Sequence, residues 1–153
     1  MRRITILTAL FFIGIISHAQ FVMRLEIKDS DTITGLCDRK NVYTIMPMLT
    51  KNQTAAVCPL SDEEIEQKLN DVPFLKDHPK YKDKGILGII VNCKGEVRRC
   101  EIDNKTKSPE LDAQIEAVFK TLVGWKPAME GNKPIDSSIL FGFDIEKGKF
   151  KIH

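Results

Sequence analysis

The sequence is poor in the residues and motifs from which most enzyme sites are built. It has three histidines in 153 residues, in an N-terminal apolar stretch, a charged connector and the terminus: His18, His78 and His153. No G-x-S-x-G, H-E-x-x-H or paired-carboxylate motif occurs. Ser137 and Ser138 precede an apolar strand without a visible catalytic partner. We therefore expect no enzymatic activity and no cofactor.

The chain also lacks an excess of either charge. Its 23 Lys and Arg residues face 21 Asp and Glu residues, which gives a formal net charge of +2. No polybasic run, low-complexity tract or internal repeat is present. This balance predicts neither nucleic acid nor an anionic lipid surface as a partner. The length is sufficient for one domain with its own core.

The first twenty residues form a separate unit. Met1-Arg2-Arg3 is positively charged, Ile4 to Ser17 carries no charge, and Ser17-His18-Ala19 is a small-x-small site before Gln20. This pattern predicts a signal peptide over residues 1–19 with cleavage after Ala19, and so a periplasmic or secreted protein. An uncleaved membrane anchor is the alternative. It needs about 20 apolar residues, and His18 and Gln20 interrupt the run, so we expect no retained anchor.

Four cysteines follow the signal peptide: Cys37, Cys58, Cys93 and Cys100. An even number in an exported chain favours disulfides. Their spacing lacks the C-x₂₋₄-C pair of zinc sites and the C-x-x-C of redox sites, so we expect no metal. A regular hairpin places Cys93 and Cys100 about 13 Å apart, whereas a disulfide joins Cα atoms about 5.5 Å apart. That pairing is disfavoured, and Cys37–Cys58 or bonds between the two halves remain open.

Residues 20–83 are predicted to form an N-terminal extension of strands and one helix. Phe21 to Asp29 alternates apolar and polar residues from Met23 onward, as in a half-buried strand. Val42 to Met48 is β-prone, but Pro47 limits its end to an edge or a turn. Lys51 to Pro59 is interpreted as a loop carrying Cys58.

A capping box marks the helix of this extension. Ser61 and Glu64 stand at its start, and Ile65 and Leu69 share one face. Val72-Pro73 is expected to end the helix, because the residue before proline avoids helical geometry. The charged connector from Asp77 to Lys84 is the predicted boundary with the C-terminal unit, residues 84–153.

The C-terminal unit begins with a hairpin and a helix. Ile86–Val91 and Val97–Ile102 flank a turn with Gly95, which tolerates the positive φ of tight hairpins. Ser108 and Pro109 are suited to the helix start. Glu116 and Lys120 lie at i, i+4 on its surface, and Gly124 is expected to end it. Its apolar face carries Leu111, Ile115, Val118, Phe119 and Leu122.

A last strand completes the unit. Ser138 to Ile145 places Ile139, Phe141, Phe143 and Ile145 on one face, and Lys147-Gly148 can turn into a tail strand, Lys149 to Ile152. The predicted fold is therefore α+β. A small antiparallel sheet with one helix packed on it is preceded by the strand and helix extension.

Several short motifs occur in a recognisable order in this unit: Gly85 before the first strand, Gly95 two residues before Val97, Pro109-Glu110-Leu111-Asp112, Trp125-Lys126-Pro127 and Gly131-Asn132-Lys133-Pro134. In order and spacing they resemble the C-terminal domain of the TonB energy-transducer family, whose fold is β-β-α-β. The Tyr-Pro pair of that family is absent, since Lys82 follows Tyr81. The extension and its Ala19-Gln20 site are similar to those of small exported Bacteroidetes proteins.

The resemblance implies a protein or peptide partner. Domains of the family add a short peptide of an outer-membrane receptor as an extra strand at a sheet edge. By analogy, the acceptor is the final strand, with Ser138, Ile139, Leu140, Phe141, Gly142 and Phe143 as the binding residues. This chain has no Pro-rich spacer and no expected anchor, so the resemblance supports the fold more strongly than a role in energy-coupled transport.

Two other interpretations stay open. The tail or the N-terminal strand can cover the final strand's edge, and the chain is then a disulfide-stabilised structural or secreted protein that reuses the fold. A thiol-active envelope protein needs a free reactive cysteine, for which Cys93 beside Lys94 is the candidate. Trp125 is expected to pack on the helix and to stiffen the corner with Pro127.

Overall fold

The structure is a computed structural model that describes residues 23–25, 33–45 and 52–153. The predicted signal peptide lies outside these ranges. So do residues 21–22 and 26–29 of the first predicted N-terminal strand and residues 46–48 of the second. None of the described helices is long and apolar enough to cross a bilayer.

Within these ranges the chain forms nine strands and three helices, so the predicted α+β class is confirmed. The strands are β1 (Met23–Leu25), β2 (Val42–Thr44), β3 (Gln53–Thr54), β4 (Asp83–Val91), β5 (Val97–Asn104), β6 (Ala128–Glu130), β7 (Lys133–Ile135), β8 (Ser137–Glu146) and β9 (Lys149–Ile152). The helices are α1 (Asp62–Asn70), α2 (Pro73–Asp77) and α3 (Pro109–Lys120).

The main sheet is built around β8. Its strand order is β1-β2-β8-β4-β5, and β9 joins β8 on the same side as β2. β8 pairs antiparallel from Ser137 to Ile145 with the whole length of β4. The sheet is antiparallel except between β2 and β8, which run parallel. A second, three-stranded sheet has the order β3-β6-β7.

The predicted hairpin is present as β4 and β5, and its turn is packed against the tryptophan corner. Asn92 is fully buried, and its Oδ1 accepts hydrogen bonds from the amides of Lys94 and Glu96 at 3.0 and 2.9 Å. Gly95 has φ +77°, and a Cβ there would overlap the carbonyl oxygen of Trp125. Trp125 is 4% exposed and meets the Phe141 ring edge-on. The turn therefore holds the corner in place.

The helices lie on one face of the sheet. Phe143 and Ile145 of β8 belong to the core cluster, and the partly buried Ile139 and Phe141 pack against it, so all four lie on one face as their spacing predicts. The fully buried residues of α3 in this core are Leu111, Ile115 and Phe119. β5 is the strand that α3 contacts most. The prediction placed one helix, α3, on the sheet. In the structure α1 and α2 also pack against the same core.

Three helix boundaries differ from the sequence predictions. α3 ends at Lys120 with Thr121 as C-cap, so Leu122 lies outside it and Gly124, although at φ +91°, does not end it. α1 ends at Asn70, and Pro73 opens α2 instead of ending a helix. Proline suits a first helical position because no amide hydrogen is needed there.

The predicted connector and loop also contain structure. β4 begins at Asp83, so the charged connector is shorter than predicted. Gln53 and Thr54 within the predicted loop pair with β6. β6 and β7, which the sequence pattern did not indicate, form a hairpin across Gly131.

Candidate functional site

The predicted peptide-binding strand is β8, which pairs with β4 along one edge. We call its other edge the outer edge, and other segments of the chain cover this edge at both ends. At the start of β8, Tyr43 donates its amide hydrogen to the Asp136 carbonyl at 3.0 Å, and the Thr44 and Ser138 hydroxyls bond at 2.6 Å. From Phe143 onward the edge is paired with β9. The tail therefore covers the edge in the way that the alternative interpretation expected.

In the described part of the chain, one stretch of this edge lies unpaired between the two coverings. Backbone groups of alternate residues point to the same edge of a strand. The carbonyls of Asp136 and Gly142 both accept bonds on the outer edge, from Tyr43 and His153, so Leu140 between them points its N–H and C=O the same way. No described residue pairs with Leu140 on that side. We call Ile139–Phe141, with these two groups, the β8 notch.

The notch contains half of the predicted binding residues. Ile139, Leu140 and Phe141 lie in it, and the Leu140 side chain is 58% exposed. Ser138 pairs with Thr44 of β2. Gly142 accepts a hydrogen bond from His153, and Phe143 pairs with Ile152. All six residues thus lie along β8. The backbone groups of Ile139 and Phe141 face β4, and those of Leu140 face outward, where no described residue pairs with them.

The tail strand has its own edge closed by α1. Asn70 Oδ1 accepts from the Phe150 amide at 2.8 Å, and Glu66 Oε1 accepts from the Ile152 amide at 2.9 Å. The spacing explains the match. Residues i and i+4 of a helix are about 6 Å apart along its axis, and residues i and i+2 of a strand are about 6.7 Å apart. One helical turn therefore satisfies two amides of an edge strand and blocks further pairing there.

The opposite edge of the sheet, along β5, is partly closed in the same manner. Glu116 Oε1 accepts from the Ile102 amide at 3.0 Å, while its other oxygen takes a salt bridge from Lys120 at 2.8 Å. Partial burial raises the pKa of Glu116, but the bonds from Lys120 and the Ile102 amide outweigh this and hold it below its usual range. The predicted i, i+4 pair of Glu116 and Lys120 thus also satisfies a backbone amide at the edge of the sheet.

A disulfide joins the two predicted halves of the chain. It links Cys37 of the extension to Cys93 of the hairpin turn, with Cα atoms 6.0 Å apart. Cys93–Cys100, which geometry disfavoured, is not formed. Asp136 is 1% exposed and accepts from the amides of Asp38 and Cys93, both at 2.7 Å. This carboxylate fastens the same junction and holds β2 at the start of β8.

The same junction is where the described residues come nearest to a metal site. Ligand atoms of Cys37, Cys93 and Asp136 lie within 4.8 Å of one another. The sulfur atoms of Cys37 and Cys93 form a disulfide, so neither cysteine offers the thiolate that a metal needs. In this state the three residues form a structural clamp.

Two cysteines are free, and neither is in a site that activates a thiol. Burial raises the pKa of the Cys100 thiol to about 12. Burial is also the main cause of the raised pKa of Cys58, which is half-buried. Cys93, the candidate nucleophile, is in the disulfide. Thiolate is the reactive form of cysteine, so the thiol-active interpretation gains no support from these described residues.

The side chains of Glu66, Asn70 and Asp136 close the edges and the junction, but no sequence motif predicted these roles. Comparison of the chain with family models, with curated proteins and with solved structures found no match in any of the three.

Proposed function

We propose that the chain is an exported, non-enzymatic interaction module that binds an extended peptide of a partner protein by strand addition at the β8 notch. The observation that carries this proposal is the outward N–H and C=O of Leu140, which no described residue pairs. Unpaired backbone groups at a sheet edge are a template for an extra strand. The Cys37–Cys93 bond is typical of oxidising compartments, in accord with export. The TonB-like motifs favour an outer-membrane protein as the partner.

The size of the notch limits the affinity. One added residue opposite Leu140 makes two backbone hydrogen bonds, each with a net contribution of about 0.5–1.5 kcal/mol. These two bonds amount to about 1–3 kcal/mol, which is less than the roughly 4.1 kcal/mol of a 1 mM dissociation constant, and ordering the peptide opposes binding. Short peptides are therefore expected to bind no more tightly than about 1 mM, and to reach that value only with added contacts from their side chains. A tighter partner must gain side-chain contacts on either face of β8.

A second function is favoured by a different observation. β2 and β9 cover most of the edge, α1 closes the free edge of β9, and the disulfide and Asp136 fasten β2 at the start of β8. Such closure is how stable sheet proteins avoid pairing with other chains. In this alternative the protein is a disulfide-stabilised structural or secreted protein and binds no peptide.

Titration with a synthetic peptide separates the two. In ¹⁵N–¹H NMR spectra of the protein without residues 1–19, millimolar acetyl-Thr-Val-Thr-Lys-Thr-Val-Thr-amide is expected to shift the amides of Ile139, Leu140 and Phe141. Leu140→Pro should abolish the shifts, because it removes the outward N–H; proline is tolerated where that group faces away from the ladder. Leu140→Ala keeps the N–H and should retain the shifts.

A modified peptide gives the same test without altering the protein. Methylation of the central peptide nitrogen removes the donor to the Leu140 carbonyl, and we expect the shifts to disappear. If the unmethylated peptide leaves the spectrum unchanged at 5 mM, about five times the tightest expected dissociation constant, the strand-addition proposal is wrong and the structural alternative stands.

A further inference from the structure

The sheet face opposite the helices has a cavity of about 260 Å³ beside the notch. Its lining includes Thr44, Gly88, Ile90, Ser138 and Leu140, together with the charged residues Arg99 and Asp103. Ile90 is buried but lies outside the core cluster, as expected for a residue on this second face. The cavity therefore extends from the outer edge of β8 across β4 to β5.

Most polar groups around the cavity already have partners. The Thr44 and Ser138 hydroxyls bond to each other at 2.6 Å. Arg99 binds Glu101 through two nitrogens, at 2.9 and 2.7 Å. Asp103 differs, because no residue in the described part of the chain makes a hydrogen bond or ion pair with its carboxylate. That carboxylate lies directly over Gly88, where a Cβ would overlap it. The absence of a side chain at Gly88 thus gives Asp103 access to the cavity.

The register relates this carboxylate to the notch. Gly88 is the direct partner of Leu140 across the β4–β8 ladder. A residue added opposite Leu140 in an antiparallel pair has its side chain on the same face as that of Leu140. Its backbone lies two strand spacings, about 9.6 Å, from β4. Only a long side chain can cross Leu140 and come near the carboxylate over Gly88.

We propose that this cavity binds a lysine or arginine side chain of the added peptide, with the cationic head at Asp103. The aliphatic stem lies on the exposed side chain of Leu140, which suits the way long cationic side chains bury their methylenes and keep the charge near water. A charged donor on a carboxylate is among the stronger hydrogen bonds. This inference rests on the proposed strand addition and adds a side-chain preference to it.

Two matched peptides test the preference. Acetyl-Thr-Val-Thr-X-Thr-Val-Thr-amide is prepared with X as lysine or as norleucine, which has the same carbon chain without the ammonium. By NMR titration the lysine peptide is expected to bind wild-type protein about fivefold more tightly. In Asp103→Asn the ratio should fall below about twofold. Asp144→Asn removes another exposed charge of the same face, and there the ratio should stay about fivefold.

The outcomes separate this inference from the proposed function. Equal binding of both peptides to wild-type protein overturns the cationic preference and leaves strand addition intact. If the lysine preference remains about fivefold in Asp103→Asn, the ammonium group binds elsewhere and the inference is overturned. If Asp144→Asn lowers the preference as much as Asp103→Asn does, the preference reflects overall charge, and the inference is overturned as well. Failure of both peptides to bind overturns the inference together with the proposed function.

Discussion

Replacing Phe150 with alanine is expected to lower the free energy of unfolding by about 3–5 kcal/mol, the usual loss for a buried phenylalanine. Phe150 is 2% exposed, and its ring stacks on that of Phe143 with centroids 4.7 Å apart. The tail strand therefore belongs to the core, and covering the β8 edge is part of folding. Urea denaturation followed by circular dichroism measures the change.

Lys151→Ala is the matched control for this prediction. Lys151 lies between Phe150 and Ile152 in β9 and is exposed. Its truncation keeps the backbone pairing with Asp144, and we expect a change below about 0.5 kcal/mol. A loss below 1 kcal/mol for Phe150→Ala would show that β9 is not held in the core.

Loss of the disulfide, by a double Cys37→Ser and Cys93→Ser change, is expected to cost about 4 kcal/mol. The two cysteines are 56 residues apart in the chain, and a crosslink across such a loop restricts the unfolded state by about that amount. The Asp136 bonds to Asp38 and Cys93 remain in the folded variant, so we expect it to fold, with β2 less firmly held at the start of β8.

The control for this change is Cys58→Ser. Cys58 is free and half-buried, so its replacement should cost about 1 kcal/mol or less. Urea denaturation of both variants, beside wild-type protein without reductant, gives the comparison. If the double variant is as stable as Cys58→Ser, the disulfide does not fasten the extension to the C-terminal unit.

Elements with a local signature could be predicted from the sequence. The Ser61 capping box does start α1, since Ser61 accepts from the Glu64 amide and Glu64 accepts from the Ser61 amide. The hairpin across Gly95 and the tail strand after Gly148 occur where turn chemistry placed them. Each depends on residues a few positions apart, so local pattern was sufficient.

The state of the β8 edge could not be predicted, because it depends on contacts between distant segments. Glu66 bonds to Ile152 and Asn70 to Phe150, across 86 and 80 residues of chain. In the sequence these two are ordinary polar residues on the exposed side of an amphipathic helix. Their i, i+4 spacing can be read from the sequence, but no nearby residue indicates that the two side chains will bind alternate amides of a strand. The disulfide pairing was left open for the same reason.

The central claim is that the described part of the chain pairs the outer edge of β8 at both ends and leaves Leu140 unpaired between them. Amide hydrogen exchange measured by NMR on the protein without residues 1–19 tests it most directly. Leu140 should exchange at least about tenfold faster than Ile139 and Phe141, which point to β4, and than Asp144, which pairs with Lys151. Protection of Leu140 equal to theirs, or exchange of Asp144 as fast as Leu140, would contradict the account.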